Sequence, residues 1–184
     1  MKSTLGMVAL LVAAFGAAPY AMAQQANSSS KTPAATYVSA ADVQNNLKGS
    51  TDAATNPNPN IRVVDAGGYN IAVGTLHRPE TPPGVAAVHH KVTKVYHVLD
   101  GSATLVTGGT IVDAKERPAD TKSVRLEDGP SASGPSIRGG VSQQLKAGDV
   151  VVIPAGVPHW FSKIDGSISY LVVRFDPNRI LALK

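Results

Sequence analysis

Cysteine is absent from this 184-residue chain. That excludes disulfides, thiolate catalysis and cysteine-bound metal. Aromatic residues are scarce at 5%, with a single tryptophan, and the lysines and arginines are scattered rather than clustered. The net charge of +4 is only mildly basic, so nucleic-acid binding is not expected. Glutamate is also rare: Glu80, Glu116 and Glu127 are the only three. Any site that requires that carboxylate has few sources. Beyond the first residues no apolar run is long enough to cross a bilayer.

What is present at the N-terminus reads as an address. Lys2 precedes an apolar run from Leu5 to Ala18, and Ala21-Met22-Ala23 gives a small-x-small cleavage pattern. Residues 1–23 therefore read as a secretory signal peptide. The expected product starts near Gln24 and is exported, periplasmic or secreted, with no stable membrane contact after cleavage. Residues 24–60 read as a flexible leader containing one short helix. Ser39 and Asp42 form a capping box, Val43 and Leu47 supply the apolar side, and Gly49 stops the helix.

From Ile61 the pattern changes to short strands. Strands are expected over 61–65, 69–77, 85–90, 94–99, 102–106, 110–112, 142–145, 150–153 and 167–175, with Asp100-Gly101 as a hairpin turn. Residues 129–135 read as a long polar loop near a barrel mouth or an edge. The expected domain is all-β over 61–176, followed by a tail over 177–184. Many short strands and one helix suit a sandwich or small barrel.

The most informative stretch is Gly148 to Trp160. Val150 to Ile153 are four β-branched residues in a row, as in a strand covered on both faces. Pro154 ends the run, Gly156 suits a tight turn, and Pro158 holds the chain extended into His159. A histidine set so rigidly after a reversal is a candidate ligand or acid/base.

Gly148-x5-Pro154-x-Gly156-x2-His159 resembles the second motif of the cupin superfamily, and Gly84 to Gly101 is similar to the first. The resemblance covers roughly 61–175. It implies a double-stranded β-helix, or jelly-roll, barrel with a small-molecule site in its mouth. It also implies one divalent metal (Zn, Mn, Fe or Ni), held in typical members by an H-x-H pair, a glutamate and the histidine of the second motif.

Three positions depart from that pattern. Lys94 stands where the glutamate belongs, His89-His90 replaces H-x-H, and Lys163 ends the second motif in place of asparagine. Adjacent strand residues point to opposite faces, so only one of His89 and His90 is expected inward. The candidate metal ligands are thus His89 or His90 with His159, and Glu80 is a surrogate carboxylate within reach of the preceding loop. Lys94, Lys163 and Phe161 are candidate ligand-binding residues, and His159 and Tyr96 are candidate catalytic groups.

Two functions are carried forward. One is a metal-dependent oxygenase, isomerase or lyase acting on a small organic substrate. The other is a metal-free binder of an anionic small molecule, a carboxylate or sugar acid. A homodimer formed through an edge strand suits either.

Overall fold

A computed structural model describes residues 34–49, 60–80 and 84–184 of the chain. The signal-peptide reading and most of the leader lie outside the described residues. Among the described residues no helix is long and apolar enough to cross a membrane. The one α-helix, α1 (Ala40–Lys48), starts at Ser39, whose hydroxyl accepts from the Asp42 N–H while the Asp42 carboxylate accepts from the Ser39 N–H. It lies against strands β1 (Asn60–Asp65) and β2 (Asn70–Pro79), and its Asn46 accepts from both the N–H and the hydroxyl of Thr75.

Two long strands organise the rest. These are β4 (Thr93–Thr107) and β11 (His159–Asp176), which pair antiparallel along nearly their whole length. The C-terminal half of β11 lies between β2 and the start of β4. On the far side of β4 that layer is edged by β10 (Val150–Ile153). The second layer contains the end of β4 with β9 (Val141–Lys146), together with the start of β11. It also contains β3 (Ala86–His89), β7 (Ser131–Gly134) and β6 (Lys115–Glu116). A short β5 (Thr110–Ile111) pairs with β8 (Ile137–Arg138) beside them.

Both long strands bend between layers. Phe161 and Tyr170 are nine residues apart on one strand, yet their ring centroids are 5.7 Å apart. A straight strand would separate them by roughly 30 Å. The bend falls at a register shift between Asp165 and Ile168, opposite Gly101. Gly101 has φ 79°, and a Cβ there would meet the Ser167 carbonyl oxygen at 2.0 Å, so glycine is required. Asp100-Gly101 is therefore a bend within β4 rather than the hairpin turn expected. The result is a jelly-roll barrel. Its core is built from both layers, with Leu76, Tyr96, Leu105, Ile153, Phe161 and Tyr170 among its buried members.

Two further expectations are corrected. Residues 131–134 are not loop but strand β7, because their backbone is the partner that β3 needs. β10 is covered on one face only: Ile153 is buried, while Val150 and Val152 are 61% and 62% exposed at the sheet edge. The C-terminal tail is docked. Lys184 exchanges both backbone hydrogen bonds with Val63, and Leu181 packs with Val63 and Ala72.

Candidate functional site

The turn that ends β10 brings the site together. Gly156, at φ 82°, donates its N–H to the carbonyl of His89 at 2.8 Å, and His159 pairs with Ala87. The two imidazoles therefore face each other, with ring centroids 4.9 Å apart. Strand alternation sends His89 inward, where it is buried, and His90 outward, where its Nε2 meets Glu116.

Hydrogen bonding fixes the state of His89. The Ser131 hydroxyl donates its one proton to the Gly129 carbonyl at 2.7 Å, so toward His89 Nδ1, 2.9 Å away, it accepts. Nδ1 therefore carries the ring proton, and Nε2 keeps a lone pair that accepts from Lys94 Nζ at 2.9 Å. Burial, joined by the charge of Lys94, holds His89 well below the usual histidine range and keeps it neutral. His159 behaves alike. Its Nδ1 donates to the Val157 carbonyl at 3.2 Å, and burial followed by the Lys94 charge brings it down to about 4.

Lys94 is 4% exposed, and its Nζ lies 2.6 Å from Asp128 Oδ1. This is an ion pair whose angles depart from an aligned hydrogen bond, since Oδ1 has no partner of hydrogen-bond geometry. Burial lowers Lys94 to about 8 against the pull of Asp128, so near pH 7 the ammonium still dominates by about tenfold. Asp128 is the hub. Arg174 Nε lies 3.5 Å and an Arg117 terminal nitrogen 3.8 Å from its carboxylate. Burial opposes its charge, but His89, Lys94 and Arg174 hold it well below the usual carboxylate range. With the His89 ring neutral, the weight of that shift falls on the two cations.

These groups line a cavity of about 580 Å³. Its apolar lining includes Leu76, Tyr96, Phe161 and Ile164, and Trp160, also in the lining, donates its indole N–H to the Gly84 carbonyl. Burial and then Tyr170 push the Tyr96 phenol well above its ordinary range, so it stays protonated. Arg78 enters over Phe161, with its carbon 5.6 Å from the ring centroid, and donates Nε–H to the Tyr170 hydroxyl at 2.9 Å. Four cationic side chains line the cavity, Arg78, Lys94, Arg117 and Arg174, against the carboxylates Glu127 and Asp128. The balance is positive.

Of the residues singled out from sequence, His89, His159, Lys94, Tyr96 and Phe161 line this cavity. His90 points away from it. Lys163 is a correction: its Nζ pairs with Asp165 at 2.7 Å on the surface, and its side chain is 70% exposed. A bulge between Phe161 and Lys163 reverses the alternation, so Ile164 takes the inward position. Glu80 is exposed and does not line the cavity.

The carboxylate partner comes from Asp128, at the end of a π-helical turn over Val124–Asp128. No periodic signal marks it. Arg174 and Arg78 were legible in principle. Each continues an inward alternation, through Tyr170 and Val172 in one strand and through Ala72 and Leu76 in the other.

The family model for cupins matches residues 69–179, well over half of the chain. The chain belongs to the cupin family. No curated protein matches. Among solved structures this cupin is similar to DMSP lyase DddQ from Ruegeria pomeroyi DSS-3. The identity there is 18%, covering 59% of this chain and 39% of that one, with a TM-score of 0.38. It is similar to hydroquinone 1,2-dioxygenase from Sphingomonas sp. TTNP3 at 12% identity, covering 61% of each chain, with a TM-score of 0.40. It is also similar to BH2720 from Bacillus halodurans at 11% identity, covering 78% of this chain and 83% of that one, with a TM-score of 0.44. The chain thus spans less than two thirds of the lyase and of the dioxygenase.

Cupins commonly bind a divalent metal, and the donors here do not fit one. Lys94 stands in the glutamate position, and its ammonium takes the His89 lone pair that would face the ion. Of the two carboxylates that line the cavity, Asp128 is the one beside the histidines, and it is already bound to that ammonium. At ~4 Å and an effective dielectric of ~20, a unit charge and a divalent ion repel by about 8 kcal/mol. Among the described residues no group of three or more His, Asp or Glu is placed to hold a metal.

Proposed function

We propose that this cupin binds an anionic small molecule, a carboxylate or sugar acid, without a divalent metal. The observation that carries this reading is the buried Lys94 ammonium, set between His89 and Asp128 on the wall of a cavity whose charged groups sum to an excess of cation. A buried cationic cluster needs neutralising. Asp128 supplies one negative charge for three neighbours, and an entering carboxylate supplies another. The apolar wall of Tyr96, Phe161 and Ile164 would receive the ligand's carbon skeleton. The N-terminal sequence supports an exported protein, so the ligand would be met outside the cytoplasm.

Thermal unfolding tests this with malonate and pyruvate on one side and Zn²⁺, Mn²⁺ and Ni²⁺ on the other. The wild type is expected to gain several degrees with the carboxylates and nothing with the metals. Lys94→Glu should lose the carboxylate response and gain a metal response. Stoichiometric metal in the purified wild type would sink the metal-free reading.

A further inference from the structure

We infer that Lys94 is a covalent capture residue, whose amine condenses with the ketone of a 2-oxo carboxylate to form an iminium. This rests on the anion-binding reading and narrows its ligand class. Lys94 is the one primary amine lining the cavity among the described residues, and it is buried with a proton acceptor in contact. An amine in contact with a neutral imidazole lone pair has beside it the group that receives the proton it must lose to act as a nucleophile.

Nζ contacts His89 Nε2 at 2.9 Å and Asp128 Oδ1 at 2.6 Å, and its remaining side faces the cavity. Once one proton has left, rotation about the Cε–Nζ bond turns the nitrogen lone pair toward the cavity, and a carbonyl carbon approaches along it. The carboxylate beside the carbonyl needs a second cation. Arg78 offers it: only its Nε is engaged, on the Tyr170 hydroxyl, and its terminal nitrogens have no hydrogen-bond partner among the described residues.

The chemistry balances within the site. The Lys94 ammonium passes one proton transiently to the Nε2 lone pair of His89, whose resting state is neutral, and the free amine adds to the carbonyl carbon. The imidazolium returns that proton to the resulting alkoxide. A second nitrogen proton follows the same route, and the oxygen leaves as water. The ammonium and the ketone have become an iminium and one water, with no oxidant or reductant. The iminium keeps its positive charge and one N–H, so the pair with Asp128 survives the reaction. A lysine placed only to neutralise Asp128 would have no use for the neutral His89 lone pair or for a face on the cavity.

The test is reductive trapping on the full chain. Pyruvate and cyanoborohydride are added, and every lysine is mapped by peptide mass spectrometry. The expected result is a carboxyethyl adduct on Lys94, at least tenfold above that on exposed Lys163. Modification of Lys94 no faster than Lys163 overturns the proposal. Malonate, which has no ketone, separates the two readings. If malonate and pyruvate both raise the melting temperature and Lys94 stays unmodified, capture fails and anion binding stands. If neither raises it and no adduct forms, both fail. Lys94→Arg, which retains the charge, should keep the malonate response and lose the adduct; an adduct yield unchanged in that variant would also overturn the proposal.

Discussion

The two walls of the cavity were made in different ways. On one wall His159 is delivered by a short stretch, the strand, turn and extended dipeptide from Val150 to Pro158, anchored by pairing with β4, by the Gly156 hydrogen bond to His89 and by the pairing of His159 with Ala87. On the other wall nothing is local. Lys94 comes from β4, His89 from β3, Arg174 from the end of β11, and Asp128 from a helical turn about 30 residues after Lys94 in the chain. The first wall is positioned by a backbone turn and strand pairing. The second is one electrostatic unit in which each member depends on Asp128.

That contrast is broken most severely at Asp128. Asp128→Ala leaves Lys94 and Arg174 buried without their carboxylate, and should cost about 3–5 kcal/mol in chemical denaturation. A loss below ~1 kcal/mol would mean that the cluster is not held by its hub.

Acid tests the other wall. His159 titrates at about 4 in the fold, against 6.5 for an ordinary histidine, because burial and then Lys94 disfavour the imidazolium. Between those values the unfolded chain binds the extra proton. Stability is therefore retained above pH ~6.5 and is lost as the pH falls toward ~4, by up to about 3 kcal/mol for this residue. Urea unfolding near pH 7 and near pH 4.5 should show a larger drop in the wild type than in His159→Gln. Equal drops would show that His159 is not held neutral by burial.

The smallest effect is expected at Lys163. Its exposed pair with Asp165 lies outside the cavity, so Lys163→Ala should leave both the melting temperature and the carboxylate response unchanged. Lys94→Ala, in contrast, should abolish the carboxylate response. Equal behaviour of the two lysines would show that the carboxylate response does not come from the cavity.

The all-β barrel, the capped helix and the inward run of Lys94 and Tyr96 follow from alternation and capping, which are properties of short stretches. The same rule misplaced Lys163, because a single inserted residue at a bulge inverts the phase and leaves no mark in composition. It also misread 129–135 as loop, since Ser131 to Gly134 has neither β-branched residues nor alternation and is a strand only because β3 lies beside it. Polar, glycine-containing segments take their structure from the partner that satisfies their backbone.

The sequence by itself determined a rigid strand-turn-histidine stretch and the opposite facing of His89 and His90, because turn residues and strand parity are local; its resemblance to the cupin motifs implied the barrel mouth and the lysine in the carboxylate position. Only the tertiary structure decided what that lysine does. Its charge is set by Asp128, His89 and Arg174, which meet through pairings across the whole chain, and a pocket's electrostatics depends on distances that no spacing in sequence encodes.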